Sequence, residues 1–151
     1  MLCYTLNKKK WVVLLKNEKS CGAVIFRKIQ NKYEYLLIQQ KYTMHFGFPK
    51  GHVEGKENEV MTAYREVKEE TGLEIEIFDN IREQSRYSPG PGIIKDVIYF
   101  LAKAITHKIT KQEDEIIDVM WLEESQVVEK LTYDSDKEIF KSILNQFKYG
   151  K

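Results

Sequence analysis

Apolar and polar positions divide the chain into runs of different period. "CGAVIFRKI" (21–29) is a nearly unbroken apolar run, and "YEYLLIQQK" (33–41) is a second one. The polar "QNK" between them predicts a hairpin turn joining two buried strands. Residues 42–58 carry Gly47, Pro49, Gly51 and Gly55, a density of breakers that predicts a loop. Helical spacing returns over 57–71 and stops at Gly72. "LEIEIFDNIRE" (73–83) alternates as a strand does, "SPGPG" (88–92) reads as a loop, and "IIKDVIYFLAKAI" (93–105) as a long strand. A further strand is predicted at 115–122 and helices at 122–131 and 134–147. The last helix places Ile139, Phe140, Ile143, Leu144 and Phe147 on one stripe. Residues 11–15, "WVVLL", fit a short strand or a poorly ordered leader. Few of these strands alternate with helices, so the pattern predicts an α+β fold, a mixed sheet covered by helices, in place of a doubly wound parallel sheet.

Length adds that 151 residues suffice for one domain with its own core. We divide the chain into an extension, 1–18, of uncertain order, and a folded domain over 19–151. The net charge of +1 argues against a bulk nucleic-acid binder but says nothing against a local charged site. Cys3 and Cys21 form neither a disulfide framework nor a metal pair, which fits a reducing, cytoplasmic setting. No secretory h-region and no apolar run of membrane-spanning length is expected.

The chemistry concentrates in "REVKEETGL" (65–73). On a helix Glu66, Glu69 and Glu70 stand at i, i+3 and i+4 and share one face. Val60, Ala63, Tyr64 and Val67 form an adjoining face for packing, so the acidic face is expected to be separate from the buried one. Like charges at these spacings each cost a helix about 0.2–0.5 kcal/mol. A solvated acidic face, partly neutralised by Arg65 and Lys68, would tolerate that cost; a divalent cation between the carboxylates would reverse it.

The flanking residues favour the cation. From Gly51 the chain reads five residues, Glu57, seven residues, Arg65, Glu66, Val67, one residue, Glu69, Glu70, one residue, Gly72 and Leu73. This complete pattern over 51–73 resembles the box of the Nudix hydrolases. The resemblance implies a mixed β-sheet sandwiched between helices and Mg²⁺- or Mn²⁺-dependent hydrolysis of a nucleoside diphosphate linked to another group. It further implies metal ligation by Glu66, Glu69, Glu70 and the Gly51 carbonyl, with Arg65 orienting and paired to Glu57.

Outside the box, "CGAVIFRK", "FGFPKGHVE", "SRYSPGPGIIKDVIYFLAKA" and "EIIDVMWLEESQVVEKLTYDSDKEIF" resemble the diadenosine tetraphosphate hydrolase group of that family. The likeness runs from about residue 20 to 145. It implies a small nucleoside polyphosphate as partner, cleaved to ATP and AMP, and a carboxylate near the 115–122 strand that reaches the site. Glu115 aligns best for that role, as ligand or base, with Glu54 and Glu113 behind it. Lys50 and Lys95 are candidate phosphate partners. Tyr87 and Tyr133, expected in loops, are candidates for stacking on a base, and His45 and Phe46 lie in the loop before the box. An RNA 5′-pyrophosphohydrolase or a nucleoside-triphosphate sanitiser would use the same box, and nucleic acid would be a partner only as a 5′-phosphorylated RNA end. A non-catalytic nucleotide sensor would be expected to lack box carboxylates, all of which are present.

Overall fold

The computed structural model describes residues 3–7 and 10–149. A hairpin of β1 (Cys3–Asn7) and β2 (Lys10–Leu14) forms a two-stranded sheet of its own. Residues 11–15 are therefore mostly strand. Then β3 (Lys16–Ile29) runs without a break across residue 18 into the main sheet. It turns at Gln30 and Asn31, both at positive φ, into β4 (Lys32–Gln40). Two residues with φ > 0 match the right-handed twist of the flanking antiparallel strands.

The segment 42–58, expected as a loop, contains two short strands. β5 (Phe46–Gly47) pairs with β4, and β6 (Lys50–His52) pairs with β3, placing Gly51 beside Cys21 and Lys50 beside Gly22. Strands of two and three residues are too short to show a period. At Gly22 a Cβ would stand 1.9 Å from the Pro49 carbonyl oxygen, so the approach of the β6 segment to β3 requires glycine there.

Helix α1 (Glu59–Thr71) starts at Asn58, whose Oδ1 accepts from the Met61 N–H at 2.8 Å. It ends at Gly72, φ 76°, whose N–H donates to the Lys68 carbonyl. β7 (Ile75–Gly90) and β8 (Ile93–Ala104) follow as a long antiparallel pair. Pairing with β8 carries β7 well past residue 83, so the expected 88–92 loop shrinks to a turn at Pro91 and Gly92. Tyr87 is consequently a strand residue, opposite Lys95. β9 (Ile116–Leu122), α2 (Glu124–Lys130) and α3 (Asp134–Tyr149) complete the chain.

The pairing of β3 with β8 is parallel and the other pairings in the main sheet are antiparallel, which makes it the expected mixed sheet. Both of its faces are covered. Val24, Phe26, Tyr35, Leu37, Tyr99 and Leu101 pack against Val127, Phe140 and Ile143 of α2 and α3. Alternate residues of the same strands, Ala23, Ile25, Leu36 and Ile38, pack with Val67 of α1. Double burial explains why β3 and β4 read as continuous apolar runs. Among the described residues no helix is long and apolar enough to cross a membrane.

Candidate active site

The β6 strand lies under α1, and their contact builds the acidic site. Gly51 presses on Glu66 so closely that a Cβ on it would stand 2.1 Å from the Glu66 carboxyl carbon. One residue earlier, the Lys50 N–H donates to Glu70 Oε2 at 3.0 Å. Glu70 is only 5% exposed. The acidic and packing faces of α1 are thus not fully separate, because Glu70 lies beneath the β6 segment and the 112–116 region while Glu69 stays exposed. Burial, then the charge of Glu66, with a smaller push from Glu115, raises the Glu70 carboxyl to about 8 against the opposing Lys50. Burial also raises Glu66, against the pull of Arg65.

Arg65 organises the other carboxylates. Its Nε and Nη2 donate to Glu57 at 2.7 and 3.0 Å, and Nη2 also donates to the His52 carbonyl at 2.9 Å. Nη1 donates to Glu66 at 2.8 Å and to Glu69 at 3.2 Å. Glu57 additionally accepts from the Glu54 N–H and the Thr62 hydroxyl. The Arg65 hydrogen bonds are the main reason its carboxyl is lowered to about 2. Glu54 itself is exposed, 3.9 Å from Arg65.

Among the described residues no three acidic, cysteine or histidine side chains converge to hold a metal, since Glu66 and Glu69 are turned onto Arg65. The donor chemistry nevertheless fits a hard divalent cation: only oxygen donors, among them the buried Glu70 and the partly buried Glu66, with a side-chain-free backbone at Gly51 against Glu66.

Glu115 lies in the turn just before β9 and lines a pocket with Glu70, Gln40, Tyr42 and Thr43. Glu113 points elsewhere, with its side chain 78% exposed and 3.8 Å from Lys111.

Next to that pocket, sharing Gln40 and Thr43 with it, is a cleft of about 230 Å³. It brings together His45, Phe46, Lys50, Tyr87 and Tyr133, residues from four separate segments. Tyr133 sits in the short link between α2 and α3, and its hydroxyl is 2.7 Å from His45 Nδ1. The Phe46 backbone exchanges two hydrogen bonds with Thr132, which ties the loop before the box to that link. Both tyrosines are about half exposed, so each leaves a ring face open. Lys95 is not among the residues lining the cleft, but its ammonium is near enough for the Lys50 charge to lower its pKa further, after burial.

Sequence reasoning missed Asp136, which lines the cleft and is 7% exposed. The signal was present: Asp136 stands four residues before Phe140 and so belongs to the apolar stripe of α3. Gln40, Thr43, Ser85 and Ser135, which also line the cleft, carry no pattern that marks them.

The fold, the box geometry and the match of residues 17–143 to the NUDIX domain model place the chain in the Nudix family. Among curated proteins it is 40% identical over 89 residues to the asymmetrical bis(5′-nucleosyl)-tetraphosphatase of Caenorhabditis elegans, a match covering 56% of this chain and 64% of that protein, just under two thirds. The enzyme of the same name from Mus musculus is 35% identical over 120 residues, covering 71% of this chain and 81% of that one. A crystal structure of a C. elegans Ap4A hydrolase binary complex superposes with a TM-score of 0.79 at 30% identity, over 86% of this chain and 97% of the other.

Proposed function

We propose that this chain is a cytoplasmic, Mg²⁺- or Mn²⁺-dependent hydrolase that cleaves diadenosine tetraphosphate (Ap4A) asymmetrically to ATP and AMP. The names of its relatives support this reading. The observation that carries it is the shared wall of Gln40 and Thr43 between the Glu70–Glu115 pocket and the aromatic cleft. A nucleoside held in the cleft has its phosphates directed along Lys50 towards the carboxylates.

Gly51, Glu66, Glu69 and Glu70 would hold the cation, which when bound supplies charge neutralisation and Lewis acidity toward phosphoryl oxygens. Tyr87 and Tyr133 take a base by stacking, and His45 fixes the Tyr133 hydroxyl. Lys50 and Lys95 offset phosphate charge. Arg65, anchored by Glu57, sets the orientation of Glu66 and Glu69. Glu115 accepts the proton of the attacking water. The water oxygen bonds to phosphorus, the anhydride P–O bond breaks, and the departing phosphate oxygen keeps the electron pair. β3 pairs with β8 from Lys16 onward, so the catalytic unit begins at Lys16 and not at residue 19.

Side-by-side incubation with Ap4A, ATP, 8-oxo-dGTP and triphosphorylated RNA, with chromatographic identification of products, tests the reading. Ap4A should show the highest kcat/KM, with ATP and AMP in equal amounts. EDTA should abolish turnover with an unchanged circular dichroism spectrum. A higher kcat/KM on triphosphorylated RNA would transfer the activity to RNA 5′ ends, and full turnover in EDTA would remove the metal from the reaction.

A further inference from the structure

Asp136 lies in the first turn of α3 and faces the cleft that holds Tyr87, Tyr133 and Lys50. Its residue surface is 93% covered, the complement of its 7% exposure. Among the described residues its carboxylate takes no ion pair and no hydrogen bond, although the Lys50 charge acts on it from beyond ion-pair distance. Gly47 stands across from it, where a Cβ would come 3.6 Å from Asp136 Oδ2, so glycine leaves the approach to the carboxylate clear. Burying a carboxylate without a partner is costly, and a fold that keeps one at the wall of a ligand cleft leaves it free for the ligand.

The chemistry of the cleft limits what that ligand group can be. An ionised carboxylate only accepts hydrogen bonds, through two oxygens side by side. The half-exposed rings of Tyr87 and Tyr133 in the same cleft suit a flat heterocycle. Guanine presents two adjacent donors on one edge, N1–H and the 2-amino group, which match both carboxylate oxygens. Adenine presents its 6-amino donor beside the N1 lone pair, so one oxygen would face an acceptor.

We propose that Asp136 is the base-reading residue of this cleft and that it selects guanine over adenine. The proposal rests on the reading of the cleft as a nucleoside site. It makes the guanine-containing dinucleoside tetraphosphate Gp4G a better substrate than Ap4A, although the relatives are named for the general bis(5′-nucleosyl) class or for Ap4A.

Isothermal titration of the full chain with GMP and AMP, and hydrolysis of Gp4G and Ap4A, are measured for the wild type, Asp136→Asn and Asp136→Ala. One additional charge-assisted hydrogen bond gives the wild type about a tenfold preference for GMP. Asparagine offers an acceptor beside a donor, the pattern that pairs with an adenine edge, so Asp136→Asn should move the preference to AMP. Asp136→Ala should bring the ratio near one. The kcat/KM ratio for the two dinucleotides should follow the same order. An unchanged GMP-to-AMP ratio in Asp136→Asn overturns the proposal. So does an equal loss for both nucleotides, which would make Asp136 a positioning residue for Lys50, or a wild type that binds no GMP. Failure to cleave either dinucleotide while the mononucleotide ratio shifts as stated would refute the hydrolase reading alone.

Discussion

Replacing Glu70 with glutamine should make the metal-free protein more stable while removing its activity. Glu70 is 5% exposed, and its carboxyl is raised from 4.5 to about 8, first by burial and then by Glu66. The fold therefore binds the Glu70 proton more tightly than the unfolded chain does. Its contribution to stability is fullest below pH 4.5 and is lost as pH climbs towards 8. At about 1.4 kcal/mol per tenfold in proton affinity, the cost of ionising it reaches about 4–5 kcal/mol above pH 8. Glutamine keeps the shape and can still accept from the Lys50 N–H, but a buried amide carries its own desolvation cost. A net gain of about 2–4 kcal/mol at pH 8, or about 5–10 °C in Tm, is expected. Urea unfolding of both proteins in EDTA from pH 5 to pH 9 measures it, with a difference that is small at pH 5 and grows with pH. Mg²⁺ should raise the Tm of the wild type and leave the variant nearly unmoved. A variant less stable than wild type at pH 8 in EDTA, or a difference flat in pH, refutes the reasoning.

Gly51→Ala places a methyl 2.1 Å from the Glu66 carboxyl carbon; the forced displacement should cost about a hundredfold in kcat, read by steady-state kinetics beside an unaltered circular dichroism spectrum. Glu115→Gln should lower kcat by about 10²–10⁴ with Tm nearly constant, whereas Glu113→Gln, on an exposed side chain, should leave kcat close to wild type; equal effects of the two would move the base elsewhere. Glu57→Gln removes the anchor of Arg65, and titration with Mg²⁺ should show weaker binding, as Glu66 and Glu69 lose their fixed orientation.

The carboxylate helix was legible because its spacing and its glycine stop lie within one continuous stretch, while its asparagine start at Asn58 was not singled out. The buried strands β3 and β4 were legible for the same reason. What escaped depended on partners distant in sequence. β5 and β6 are strands only because β4 and β3 lend them hydrogen bonds. β7 continues to Gly90 because β8 returns beside it, and that extension makes Tyr87 a strand residue in place of a loop residue. The burial of Glu70 was hidden because helix periodicity describes α1 alone, without the segment that lies over its last turns. Asp136 was hidden as one more acidic residue at a helix start, where acids are common. Lys50, Tyr87, Tyr133 and His45 were found from their chemistry and approximate location, and their convergence on one cleft is a property of the sheet.

The grip of Arg65 on Glu57, Glu66 and Glu69 has a consequence for the resting protein. The guanidinium acts as a tethered counter-ion for Glu57, Glu66 and Glu69, and of the three carboxylates Glu66, Glu69 and Glu70 only the buried Glu70 lies outside its grip. On the proposed function, a divalent ion would have to win Glu66 and Glu69 from a cation already in place, and its apparent affinity would be reduced by whatever that exchange costs. In return the metal-free chain would carry no unpaired charge at Glu66 and Glu69 to oppose its folding.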